Sequence, residues 1–287
     1  IALVAGFLTA LCWTGTTLTS ARASRLIGAS STLAIVMATG LVVTLPFALA
    51  APPPPAALTP ATVATLVVAG VANVLGLLFL YRGYREGLVA IVSAISSTEG
   101  AIAAVIAILL GEAVAPTVGI ALALVVVGVV LAAFAGVDPS EHPIEGGSQG
   151  RALAYAAGAA ITFGIGLYAV GAAANELPIA WAVLPARVVG VLFVTLPLVA
   201  SRRLRVTRVA LPWAVADGIF EVAGLAIFSV GARDAIAVTS VLATQFVAIT
   251  ALVAWFLFHE RPTRLQTVGV GTVVVGVAVL SALRAAG

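Results

Sequence analysis

Residues 117–136 read TVGIALALVVVGVVLAAFAG, twenty residues in which the Thr117 hydroxyl is the only polar side-chain group. A helix of about 20 residues crosses the roughly 30 Å hydrocarbon core of a bilayer, so the stretch predicts a transmembrane helix. It ends at VDPSEHPIEGGSQG, residues 137–150, whose Gly, Pro and Ser content reads as a flexible linker. Working outward, runs of similar size lie near 1–19, 31–50, 61–81, 88–110, 152–173, 179–200, 209–230, 235–258 and 265–284, which makes ten in all. None alternates polar with apolar residues as a barrel strand would. Unpaired backbone is too costly in lipid, so the runs are expected to be helices.

Composition agrees. The chain is 62% hydrophobic and 9% charged, whereas a soluble domain carries about 25% charged residues. One core cannot hide so much apolar surface at this length, so most of the surrounding solvent is lipid. All 14 basic residues are arginine. They fall mainly in short gaps between apolar runs and form no nucleic-acid patch. Arginine without lysine, with abundant Ala, Val and Gly, points to a bacterial source and hence to the cytoplasmic (inner) membrane. Cys12 is the single cysteine, so no internal disulfide is expected. No charged segment followed by a cleavage site is visible, so no signal peptide is expected.

The linker sits at the chain's midpoint, which prompts a search for duplication. At an offset of 148 residues, Val74-Leu-Gly-Leu77 falls on Val222-Ala-Gly-Leu225, and Gly83 and Arg85 fall on Gly231 and Arg233. Glu86 falls on Asp234, Glu112 on Glu260, and Val125 to Val129 on Val273 to Val277, without a gap. An offset of 151 aligns Thr44-Leu-Pro46 with Thr195-Leu-Pro197. The expected organisation is an all-α membrane protein of ten transmembrane helices in two five-helix repeats, 1–136 and 151–287, joined by 137–150. Five is odd, so the second repeat would enter the membrane inverted. Inverted repeats are a recurring transporter plan, with the binding site between the halves near the midplane.

The motifs resemble a known group. Leu11-Cys-Trp-Thr-Gly15 is similar to the opening tryptophan motif of EamA-type transporters of the drug/metabolite transporter superfamily. Glu99-Gly100 and Leu109-Leu-Gly-Glu112 resemble its Glu-Pro followed by Leu-Leu-Gly-Glu. Phe258-His-Glu-Arg261 and Gly269 resemble the same region of the second repeat. Gly100 replaces the usual proline, and Val247 stands where the second repeat would carry an acid. The resemblance implies a ten-helix secondary transporter of small metabolites, often an exporter.

Ionisable residues in mid-helix are costly in lipid and default to functional roles. Glu99, Arg187, Asp217 and Glu221 qualify. Asp217 and Glu221 are four residues apart and share one helix face. Arg187 suits a substrate carboxylate, and the acids suit an amine or a coupling proton. A carboxyl group withdrawn from water favours its neutral form, which makes Glu99 and Glu221 the proton-coupling candidates. The plainer alternative is that Arg187 pairs with Asp217 or Glu221 only to hold two helices together. Trp13, Asn73, Tyr168 and Gln245 complete the candidate substrate-binding set. Tyr81, Tyr84, Thr98 and Trp213 are further polar or aromatic candidates. Glu112 and Glu260, at helix ends, read as gate or loop ion pairs. Gly128, Ala132 and Gly136 form a small-residue stripe, expected to pack against the helix carrying Gly269 and Gly276, or else against a second subunit. The chain is therefore expected to be a monomer, with a homodimer as the alternative.

No cofactor is expected. There is no phosphate-binding Gly-rich loop ending in Gly-Lys-Ser/Thr, and His142 and His259 lack metal-ligand spacing. No nucleophile–base constellation is present, so enzymatic activity is not expected. Most loop arginines fall on one side, which by the positive-inside rule puts both termini outside, whereas the family resemblance would put them in the cytoplasm. The leading expectation is a carrier that exports amphipathic metabolites by alternating access, with amino acids or related zwitterions first. Cationic drugs, nucleosides and lipid-linked sugars are alternatives, and a non-transporting membrane scaffold or sensor is the rival from another class.

Overall fold

The computed structural model describes residues 1–87, 89–134 and 148–249, with scattered positions between 264 and 283. Most of the described residues are helical, and none of them lies in a strand. They form α1 (Ala2–Ile27), α2 (Ala29–Ala50), α3 (Pro60–Glu86), α4 (Val89–Ser96), α5 (Glu99–Leu109), α6 (Pro116–Phe134), α7 (Gln149–Glu176), α8 (Ile179–Gly190), α9 (Leu196–Ala200), α10 (Leu211–Ala232) and α11 (Ile236–Ala243). Among the described residues seven helices are long and apolar enough to cross a membrane. They are α1, α2, α3, Ile91–Leu109, α7, Ile179–Ala200 and α10, with shorter apolar stretches at Pro116–Gly128 and Ile236–Ile249.

The radial composition suits lipid. On α1 the buried positions are Ala, Gly, Thr and Ser, with Ile27 at the end, while Val4, Phe7, Leu8 and Leu11 face outward. Lipid tails are as apolar as leucine, so small residues that let helices approach are favoured inside. This also explains why α1 runs on to Ile27, beyond the apolar run near 1–19. Ser20 and Ser24 are buried and donate to the carbonyls of Thr17 and Ala21, which satisfies them within the helix.

Two of the expected continuous helices are interrupted. The fourth run breaks between α4 and α5, where the Ser97 and Thr98 hydroxyls donate back to Ala94 O and Ile95 O. In the ninth run Thr244 does the same to Val241 O. The backbone tightens at both places, Thr98 N–H bonding Ile95 O and Gln245 N–H bonding Leu242 O. Ser and Thr compete for helix carbonyls in this way. Between α8 and α9 the chain widens into a π-turn at Val191–Thr195. Pro197 has no N–H to offer the preceding turn, a common cause of such a bulge.

α7 begins at Gln149, inside the segment read as linker, because Ser148 caps it by accepting from Arg151 N–H. Residues 135–147, with Gly136 and His142, lie outside the described residues, as do His259, Glu260 and the 258–261 motif. Gly276 meets α6 as expected, where an added Cβ would lie 2.8 Å from Val125 Cγ2.

The helices interleave the two parts of the chain. α1 packs along α10, α3 along α7, and α2 against both α8 and α10. α3 also touches α8, while α5 packs on α7 and α11, and α11 on α1.

Candidate functional site

The site grows from one face of α10. Asp217 and Glu221, one turn apart, are both buried, at 0% and 3% exposure. Glu221 Oε2 accepts from Arg187 Nη2 of α8. Its other oxygen accepts from Asn73 Nδ2 of α3 at 3.0 Å. Asp217 does not pair with Arg187; its Oδ2 accepts from the Tyr81 hydroxyl of α3 at 2.7 Å. Three helices thus converge on two carboxylates.

Arg187 is 0% exposed and sparsely served for a group with five donors. Among the described residues Nη1 faces only the Met37 sulfur, at 3.8 Å, and Nε has no partner. Gly40 of α2 makes room for its stem, since a Cβ there would lie 2.8 Å from Arg187 Cδ.

Beside this cluster lies a cavity of about 50 Å3, room for a few waters. Its walls include Trp13 of α1, Asn73, Glu99 and Glu221, four of the eight expected binding residues. Arg187 stands behind Glu221 and does not line the cavity. Asp217, Tyr168 and Gln245 are likewise outside its wall. Tyr168 packs against an apolar cluster, and Gln245 is buried with Nε2 unpartnered among the described residues. The Trp13 ring stacks on Phe228 at 6.3 Å and meets Phe246 edge-on at 6.4 Å, so neighbouring rings fix its orientation.

Glu99 opens α5 directly after the break, is 5% exposed and reaches the cavity. No hydrogen bond or ion pair holds it among the described residues. Its place in the first turn suits a negative charge. The following Gly100 is required by packing, since a Cβ there would meet Thr244 Cγ2 at 2.5 Å. A proline would bring that carbon, so the departure from the family's Glu-Pro lets α5 approach α11.

Thr16, Thr17, Ser96, Phe163 and Phe246 also line the cavity and were not singled out in the sequence. A signal for Thr16 and Thr17 existed: the stretch Trp13-Thr-Gly-Thr-Thr-Leu-Thr19 places hydroxyls densely within an apolar run. Phe163 and Phe246 had none, because one phenylalanine in a lipid-facing composition looks like any other.

Glu112 does not form the expected ion pair among the described residues. Its carboxylate accepts from Ile236 N–H and Ala237 N–H at 3.1 Å and caps α11 from outside. Two N–H groups that a helix start leaves open are thereby satisfied.

Comparison with known proteins bears on this site. Residues 1–134 match the EamA-like transporter family. A solved crystal structure of a protein matches with a TM-score of 0.73 and 16% identity, covering 98% of this chain and 96% of that one. At that identity the likeness speaks for the fold alone. No curated protein sequence matches significantly. The apolar helices and the match over residues 1–134 agree: the chain has the make-up of a multi-pass membrane protein, and its first part is similar to the EamA-like transporter family.

Proposed function

We propose that the chain is a secondary transporter working by alternating access, with two inverted five-helix repeats, 1–136 and 151–287, around a linker at 137–150. The observation that carries this is the Asn73–Glu221 hydrogen bond. The two residues are 148 apart, the offset of the sequence duplication. Equivalent positions of two related halves touch only near the axis that relates them, and in inverted-repeat transporters the site lies there. Helix packing supports the same reading. Replacing each helix by its counterpart about 150 residues away turns α1–α10 into α7–α3, α2–α10 into α8–α3, and α4–α7 into α11–α1. The two helix breaks also recur at corresponding places, a pointer to the binding site in such folds.

The substrate is a small amphipathic metabolite bearing an ammonium group, with amino acids and related zwitterions as the first class. Glu99 and Glu221 meet the ammonium, and Trp13 and its neighbouring rings meet the apolar body. A zwitterion's carboxylate would have to take Glu221's place on Arg187. A purely cationic substrate needs no such exchange, and the cavity's wall of two acids with aromatic rings favours it as the second reading. At about 50 Å3 the cavity is smaller than either substrate, so loading requires an opened conformation. The direction is export from a bacterial cytoplasm across the inner membrane, by a monomer.

A substrate panel in proteoliposomes tests this, using leucine, phenylalanine, ethidium and uridine as labelled probes. Flux of an amine-bearing or cationic probe, lost in Glu99→Gln and Glu221→Gln, is the expected result. Flux of uridine alone, or undiminished flux in both variants, overturns it.

A further inference from the structure

We propose that the coupling proton resides on Asp217, hydrogen-bonded to Tyr81, and that Arg187 exchanges it against the substrate's ammonium on Glu221. The inference rests on the transport reading above and moves the proton from the cavity wall to a group behind it.

Asp217 is 0% exposed, as are its partner Tyr81 and the guanidinium of Arg187. One Asp217 oxygen accepts from Tyr81, while the other, Oδ1, has no partner among the described residues. A charged oxygen without a donor is expensive there, and a neutral carboxyl group avoids that charge. The charge count agrees. Asp217 and Glu221 share one arginine, and that arginine is already paired with Glu221. Among the described residues no second cation pairs with Asp217. α3 brings Tyr81 and Tyr84, the latter sharing a hydrogen bond with Ser93. α2 and α11 carry no ionisable residue. α7 brings Tyr168, packed in the apolar cluster around Leu225. α1 brings Cys12, beside Gly224, and Arg22, which lies over the Trp213 ring at 5.1 Å.

Arg187 keeps donors in reserve: among the described residues Nε is unpartnered and Nη1 meets only a sulfur. Asp217 is one helical turn from Glu221, about 5–6 Å between Cβ atoms, within the sweep of a long arginine side chain. The exchange follows. When Asp217 releases its proton to water, the O–H bond breaks and its electron pair stays on the carboxylate. Arg187 turns to that new anion. Glu221, which lines the cavity, is freed to bind the substrate's ammonium. Reprotonation of Asp217 returns Arg187 to Glu221 and expels the ammonium. One positive charge enters the cluster for each that leaves, which makes the carrier an antiporter.

The test reads the proton directly, by infrared titration of the purified protein in lipid nanodiscs. The background is Glu99→Gln, because Glu99 is another buried carboxyl with its own band. At neutral pH a protonated-carboxyl stretch is expected. It disappears in Asp217→Asn and moves to higher frequency in Tyr81→Phe. It also disappears in Glu221→Gln, although Glu221 is not its source, because Arg187 then needs Asp217 as its anion. A band that survives Asp217→Asn overturns the site, and one untouched by Glu221→Gln overturns the exchange. If Asp217→Asn does not fold, Tyr81→Phe decides: an unmoved band overturns the assignment. Substrate flux enters none of these readings, so a carrier that moves no probe would sink the transport reading and leave the proton result standing on its own.

Discussion

Replacing Arg187 by methionine should destabilise the protein sharply, and replacing its partner as well should restore most of the loss. Arg187 and Glu221 are buried at 0% and 3% exposure, and Glu221 would keep only the Asn73 amide on Oε1. Breaking a buried ion pair from one side costs about 3–5 kcal/mol, because an uncompensated charge remains. The lower end of that range, about 3 kcal/mol, is the working figure, since Glu221 keeps the Asn73 amide. For a chain of this size that corresponds to a loss of about 6–12 °C in Tm. In Arg187→Met/Glu221→Met both charges are gone, and replacing a buried pair by apolar side chains is often neutral or stabilising. Melting in one detergent, at one pH, on all three proteins reads the effect. A single variant as stable as the parent, or a double variant no better than the single, would refute the view that these two charges depend on each other inside the bundle.

Two further outcomes follow from packing and capping. Gly40→Ala sets a Cβ 2.8 Å from Arg187 Cδ and 3.0 Å from Val222 Cγ2. The strain is about 1–3 kcal/mol, and flux should fall about 5- to 140-fold (about 1.4 kcal/mol per tenfold), whereas Gly119→Ala, with nothing within 4 Å of the new carbon, should leave flux unchanged. Equal flux in the two variants would contradict a role for Arg187's placement. Glu112→Ala removes the acceptor of Ile236 N–H and Ala237 N–H, a loss of about 1–2 kcal/mol by analogy with other helix caps. Hydrogen exchange at those two amides should quicken; unchanged protection would mean that another group caps α11.

Much of the candidate site was legible because charge is conspicuous in an apolar chain. Glu99, Arg187, Asp217 and Glu221 stood out for that reason alone, and all four are buried. Their partners were not legible. The four-residue spacing put both α10 acids on one face, but spacing does not say which of them meets arginine and which meets Tyr81. Nor did it say that Arg187 lies behind the cavity wall, which follows from α2 leaving a glycine opposite its stem. The helix breaks were missed because Ser and Thr are tolerated in apolar runs, and only the hydroxyl-to-carbonyl bonds reveal a tightened turn.

The sequence alone determined the solvent, the class of secondary structure and the duplicated pattern. Those follow from run length against bilayer thickness, from the demand that backbone in lipid satisfy itself, and from matches at a fixed offset. Tertiary structure decided the rest. It joined Asn73 to Glu221 across 148 residues, handed Asp217 to Tyr81 and turned Glu112 from an expected ion pair into a cap. Such choices depend on distances between helices, and those are set by where glycine, alanine, serine and threonine let backbones come close. One chain position fixes neither the depth of that approach nor the neighbour it meets.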